Sequence, residues 1–178
     1  MPLIGVAGAR TQNYATAGVL AAEARISELA ATLASQPTGQ VTDVAAGRAL
    51  TAAEERLGGP LTNGQRRAAL GLLTSGAGLE VVVGVAGSGK TAMLAAVADG
   101  FTASGFTVVG AATSGQAARG LADGAGLEES RTVASLCWRL AHDRIRLGPS
   151  HVLILDEAGM TDDPDLGRLL AAVERAGA

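Results

Sequence analysis

Of the 14 lysines and arginines in this chain, only one, Lys90, is a lysine. Cysteine is as scarce: Cys137 stands alone, which excludes an intramolecular disulfide framework and a four-cysteine metal site. Aromatic residues make up 2 %, so any core must be aliphatic. No apolar run is long enough to span a membrane. The N-terminal MPLIGVAGAR lacks the basic-then-apolar layout of a signal peptide, and a reducing cytoplasm is the expected compartment. Positive charge is short too. With a net charge of −3 the chain as a whole is no electrostatic binder of nucleic acid, and any contact with DNA must be local.

What remains is 178 residues, enough for one domain with a sizeable core, rich in alanine, leucine and valine. Glycine, at 25 residues, follows no collagen-like period. Hydrophobic spacing predicts a helix over 14–35, with Val19, Leu20, Ile26, Leu29 and Leu33 near one face. Gln36-Pro37-Thr38-Gly39 interrupts it, and a second helix is expected over 41–57, stopping at Gly58-Gly59-Pro60. Residues 1–60 thus read as a helical lead-in segment, and 61–178 as a domain of different character. There, Thr62 or Asn63 caps a helix through Leu73. The β-branched run Glu80-Val-Val-Val-Gly84 predicts a buried parallel strand. A helix over 90–103, a strand over 106–111, helices over 114–123 and 131–142, and a strand over 151–155 come next. A last helix opens at Asp162-Asp163-Pro164, with proline suited to its first turn and a stripe of Leu166, Leu169, Leu170 and Val173. Strands alternating with helices predict an α/β fold: a parallel sheet with flanking helices.

Gly84-Val-Ala-Gly-Ser-Gly-Lys-Thr91 matches G-x-x-x-x-G-K-[ST] between an expected strand and an expected helix, the context in which that pattern cradles phosphates. Gly84, Gly87, Ser88 and Gly89 would wrap backbone N–H groups around the phosphates, helped by the positive end of the helix. Lys90 would reach the β- and γ-phosphates as a compact point charge, and Thr91 would offer its hydroxyl to Mg²⁺. A planar guanidinium fits so tight a turn poorly, which accounts for the lone lysine. The second element is His151-Val-Leu-Ile-Leu-Asp-Glu-Ala158, an apolar strand ending in two carboxylates. Asp156 would bind Mg²⁺ through water, and Glu157 would polarise the water that attacks the γ-phosphate. ATP and Mg²⁺ are therefore the expected cofactors.

Together these motifs resemble superfamily 1 DNA helicases, in particular RecD-like enzymes and the helicase part of conjugative relaxases of the TraI/TrwC type. Leu61-Thr-Asn-Gly-Gln65 is similar to that family's segment upstream of the phosphate loop, where a glutamine reads the adenine edge; Gln65 takes that role by resemblance. Val108 to Leu121 resembles motif Ia, which implies that Thr113 and Ser114 touch phosphates of single-stranded DNA, although both could equally be helix caps. Leu155-Asp-Glu-Ala-Gly-Met160 is similar to motif II. Trp138 could stack on a base, but among Val133, Leu136 and Leu140 it is expected to pack.

The resemblance implies a P-loop NTPase (RecA-like) sheet truncated after the Walker B strand and its helix. Motif III, the second RecA-like domain and the arginine fingers would then come from a missing helicase domain or another chain. It further implies a gap where a central strand belongs, whose flanking strands either keep unpaired backbone groups or pair with each other. A nickase is excluded, since His142 and His151 are the only histidines. Such a chain is expected to bind MgATP and hydrolyse it poorly. Two other readings stand beside it. One is a small P-loop kinase with Arg139, Arg144 and Arg146 as a lid; the other is a non-catalytic remnant of a longer protein.

Overall fold

The computed structural model describes residues 3–7, 12–84 and 88–178, with side chains from residue 15 onward. Its first element is a hairpin absent from the expectation: β1 (Leu3–Ala7) pairs antiparallel with β2 (Gln12–Thr16). Helix α1 (Ala17–Ser35) therefore starts three residues later than its periodicity predicts, at Thr16, whose hydroxyl caps it by accepting from Val19 N. Two further helices follow, α2 (Asp43–Leu57) and α3 (Asn63–Thr74). Gly58 closes α2 in the left-handed conformation, with φ 73°. The 36–41 linker is stitched to the end of α3: Val41 N donates to Leu73 O, and Thr38 N to Gly76 O, each at 2.8 Å.

Then come α4 (Lys90–Ala103), β3 (Thr107–Ala112), α5 (Gly115–Ala125), β4 (Glu129–Thr132), α6 (Val133–Ala141), β5 (His151–Leu155) and α7 (Asp163–Ala176). The sheet is parallel in the order β4-β3-β5, with Thr107 opposite His151 and Val109 opposite Glu129. Strand β4 was unforeseen, because Glu129-Ser-Arg-Thr132 carries no apolar alternation. It forms because Gly110 lets Leu127 and Ser130 approach the backbone of β3; a Cβ there would lie 2.7 Å from each.

Alternate residues of the strands face two different helical layers. Val108, Val152 and Ile154 join α2, α3, α4 and α5 in the larger core, and α4, with seven buried residues, lies at its centre. Ala111, Leu153 and Leu155 pack on α6 and α7. Outside α7 lies α1, through Leu29 and Leu33 against Leu170 and Val173. Both faces of the sheet are covered, as a parallel sheet requires.

One expected strand is missing. Glu80–Gly84 is not part of any sheet, and Val81, Val82 and Val83 are 75, 38 and 94 % exposed. A strand needs a neighbour for its N–H and C=O groups. Among the described strands none lies against this run, and β5 pairs only with β3. Without such pairing Val81 and Val83 stay largely in water.

Candidate nucleotide site

The phosphate-loop residues split into a described and an undescribed part. Gly87 lies outside the described residues. Gly89 precedes α4 with φ 74° and ψ 31°, and no side chain caps the helix. The start of α4 thus presents the positive end of the helix dipole, where an anion is favoured. Lys90 Nζ donates to Gly84 O at 2.9 Å, bringing the side chain back to the residue that opens the motif. At Gly84 a Cβ would meet Ser88 Oγ at 3.0 Å and Lys90 Cδ at 3.3 Å.

Gln65 is committed on both sides of its amide. Its Oε1 accepts from Thr62 N at 2.8 Å, completing a capping box with the Thr62 hydroxyl, which accepts from Gln65 N. Its Nε2 donates to Ser88 O at 2.8 Å and to Gly89 O at 3.3 Å. One side chain therefore joins the start of α3 to the phosphate loop. Sequence placed Gln65 near a nucleotide; the clamp on the loop carbonyls had no signature in it.

The carboxylates sit at the C-terminal edge of the sheet. Asp156 N donates to Ala111 O, extending the β5–β3 pairing by one residue. Asp156 is half-buried, and its Oδ1 accepts from Glu157 N at 2.9 Å. Glu157 is exposed and takes a left-handed backbone, φ 52° and ψ 42°, unusual for a residue with a Cβ. Strain of this kind persists where surrounding structure holds it, here a 3₁₀ turn over Ala158–Met160 closed by Met160 N to Glu157 O. Thr113 and Ser114 are exposed at the end of β3, and the Ser114 hydroxyl caps α5 by accepting from Ala117 N at 3.1 Å.

The Thr91 methyl group lies 2.3 Å from where a Cβ on Gly124 would be, near the end of α5. Gly124 is a contact the sequence did not announce, for a glycine inside a helix has no motif around it. Among the described residues, no group of three or more His, Cys, Asp or Glu forms a ready metal cage. A divalent cation would thus depend on phosphate oxygens as much as on Thr91 or Asp156, the usual situation for Mg²⁺.

An α/β layer built on a parallel sheet, with a glycine loop opening a buried helix, has the form of a nucleoside-triphosphatase domain. The family match agrees: residues 60–178 fit the model of the AAA domain, and the chain belongs to that family. Similarity extends to two conjugal transfer proteins named TraA. One, from Agrobacterium fabrum, is 36 % identical over 93 % of this chain and 14 % of its own length. The other, from Rhizobium radiobacter, is 34 % identical over 64 % of this chain and 10 % of its own length. The chain spans about a seventh or less of either relative. The resemblance to the helicase part of conjugative relaxases holds, since the matched residues include all the motifs that carried it. No helix among the described residues is long and apolar enough to cross a membrane.

Proposed function

We propose that this chain is the ATP-binding part of an ATP-dependent DNA helicase, within a conjugative relaxase/helicase, working in the cytoplasm on single-stranded DNA. The supporting observation is the start of α4: a left-handed Gly89, no side-chain cap, and Lys90 brought back to Gly84 O. A phosphate entering there meets the positive end of the helix and an ammonium close by. In this reading Gly84, Gly87, Ser88, Gly89 and Lys90 hold the phosphates, and Thr91 and Asp156 hold Mg²⁺. Gln65 meets the adenine edge, exchanging its bonds to Ser88 and Gly89 for bonds to the base. Glu157, exposed beside Asp156, orients the attacking water. Bound Mg²⁺ supplies neutralisation of phosphate charge.

Thr113 and Ser114 face the DNA backbone at the end of β3. Hydrolysis by the chain alone is slow, because arginine fingers are worth on the order of a thousandfold or more and belong to another domain or chain. The test is Mg²⁺-dependent binding of a fluorescent ATP analogue to the purified chain and to Lys90→Ala. Binding that Lys90→Ala removes supports the reading. Equal binding by both proteins, or none by the wild type, refutes it.

A further inference from the structure

Trp138 does not pack as its helical neighbours led us to expect. Val133 and Leu136 are buried in the layer against α7 and β3, but Trp138 points away from them and is 55 % exposed. Its ring is stacked instead on His142, one turn later, with centroids 4.4 Å apart and planes 24° from parallel. His142 closes α6, and its Nδ1 lies 2.7 Å from Trp138 O, which fixes the imidazole plane over the indole. Asp143 then turns the chain with a left-handed φ of 54°. Arg144 and Arg146 follow directly, both exposed, and Arg139 lies beside Trp138 in sequence on the same helix. Arg146 meets Asp143 at 3.4 Å in water, a pairing of little strength. In a chain of net charge −3, residues 138–147 hold three arginines against one aspartate.

A large flat aromatic surface left in water calls for an occupant. A protein partner would need a contiguous apolar patch. The other large exposed hydrophobics among the described residues belong to different elements, α1, α2, α3, the 81–83 run and Met160, and the sequence next to Trp138 carries Arg139, Asp143, Arg144 and Arg146. A duplex offers no free base face. An unpaired base offers a π-face to the ring pair, and its flanking phosphates suit arginines on either side. We propose that the Trp138–His142 pair is a stacking platform for a base of single-stranded DNA, with Arg139, Arg144 and Arg146 meeting the adjoining phosphates. This rests on the DNA-binding part of the function proposed above and adds to it a contact site distinct from Thr113 and Ser114.

Trp138 is the only tryptophan in the chain, so its fluorescence reports on this site alone. The purified chain is titrated with a thymidine oligonucleotide and with an abasic strand of equal length, in low salt. Anisotropy of the labelled strands is read for wild type, Trp138→Leu and Trp138→Phe, after circular dichroism has verified that both variants fold. Expected are quenching by the thymidine strand but not by the abasic one, and affinity on the order of tenfold weaker in Trp138→Leu. Trp138→Phe should retain most of the affinity. Equal quenching by both strands, or unchanged binding by Trp138→Leu, overturns the platform while leaving the DNA reading intact. Absence of any binding by wild type overturns both, and leaves the Lys90-dependent grip on ATP to its own test. A fluorescence change that follows protein concentration instead of DNA would make Trp138 a protein contact and also overturn the proposal.

Discussion

Replacing Gly89 by alanine should destabilise the chain in a way that depends on Gln65, and the dependence can be measured. Gly89 has φ 74°, where a side chain costs about 1–2 kcal/mol. Its new Cβ would also lie 2.3 Å from Gln65 Nε2, too close to tolerate. The amide must swing away, releasing Ser88 O and Gly89 O. Both bonds are reachable by water, so their joint loss is worth about 1–2 kcal/mol. Gly89→Ala should therefore cost about 2–4 kcal/mol in all, from the strain and the released bonds together. Gln65→Ala loses the same two bonds and half of the capping box. In the double variant those bonds are lost once, not twice, so its cost should fall short of the summed single costs by about 1–2 kcal/mol. Urea unfolding of the four proteins, followed by circular dichroism with a common slope, yields the coupling. Additivity within about 0.5 kcal/mol would refute the claim that Gln65 holds the loop.

Two further outcomes follow from other contacts. Gly124→Ala adds a methyl 2.3 Å from that of Thr91 and should lower the urea midpoint, although alanine in a helix interior ordinarily gains about 1 kcal/mol over glycine. A raised midpoint would mean that the start of α4 does not rest on α5. Cys137 has its thiol pushed above the ordinary range, first by burial and then by Asp165 and Asp162, with Arg168 opposing. Because the native state holds that proton more tightly than the unfolded chain, its stabilisation is complete below the unfolded value of about 8.5 and fades as pH rises through the folded one. Wild type should lose more stability than Cys137→Ala between pH 8 and pH 10, and its alkylation at pH 8 should be slower than that of a short cysteine peptide; equal behaviour in both would refute the shift.

Much of this was legible because it is local. The caps at Thr62, Ser114 and Asp162 each accept from an N–H three residues on, a pattern written in adjacent residues. The helical stripe of α7 and the apolar β5 were equally plain. What escaped reading depends on neighbours distant in sequence. Strand β4 is polar and exists because β3 offers an edge with a glycine in it. The 80–84 run has every local mark of a strand and lacks only a partner, which no local pattern can supply. Trp138 had buried neighbours, yet one helical position of rotation, and the imidazole waiting at His142, turned it outward.

The unpaired 80–84 run bears directly on how the loop after it is held. A strand locates a loop firmly, because its backbone is held on both sides through regular hydrogen bonds. Here Val81 to Val83 have no such hold, and Val81 and Val83, both largely exposed, forgo a burial worth about 1.5–3 kcal/mol each. The described part of the loop keeps its shape through Lys90 on Gly84 O and Gln65 on Ser88 O and Gly89 O instead. Those bonds come from α4 and α3, both rooted in the larger core through Met93, Ala69 and Leu73. The residues proposed to hold phosphate are thus anchored from the helical layer. Asp156 and the left-handed Glu157 are anchored from the sheet, through Ala111. In the proposed function, then, phosphate binding draws its support from the helices and water activation from the sheet, so substitutions that loosen α3 should weaken nucleotide binding before they touch the carboxylates.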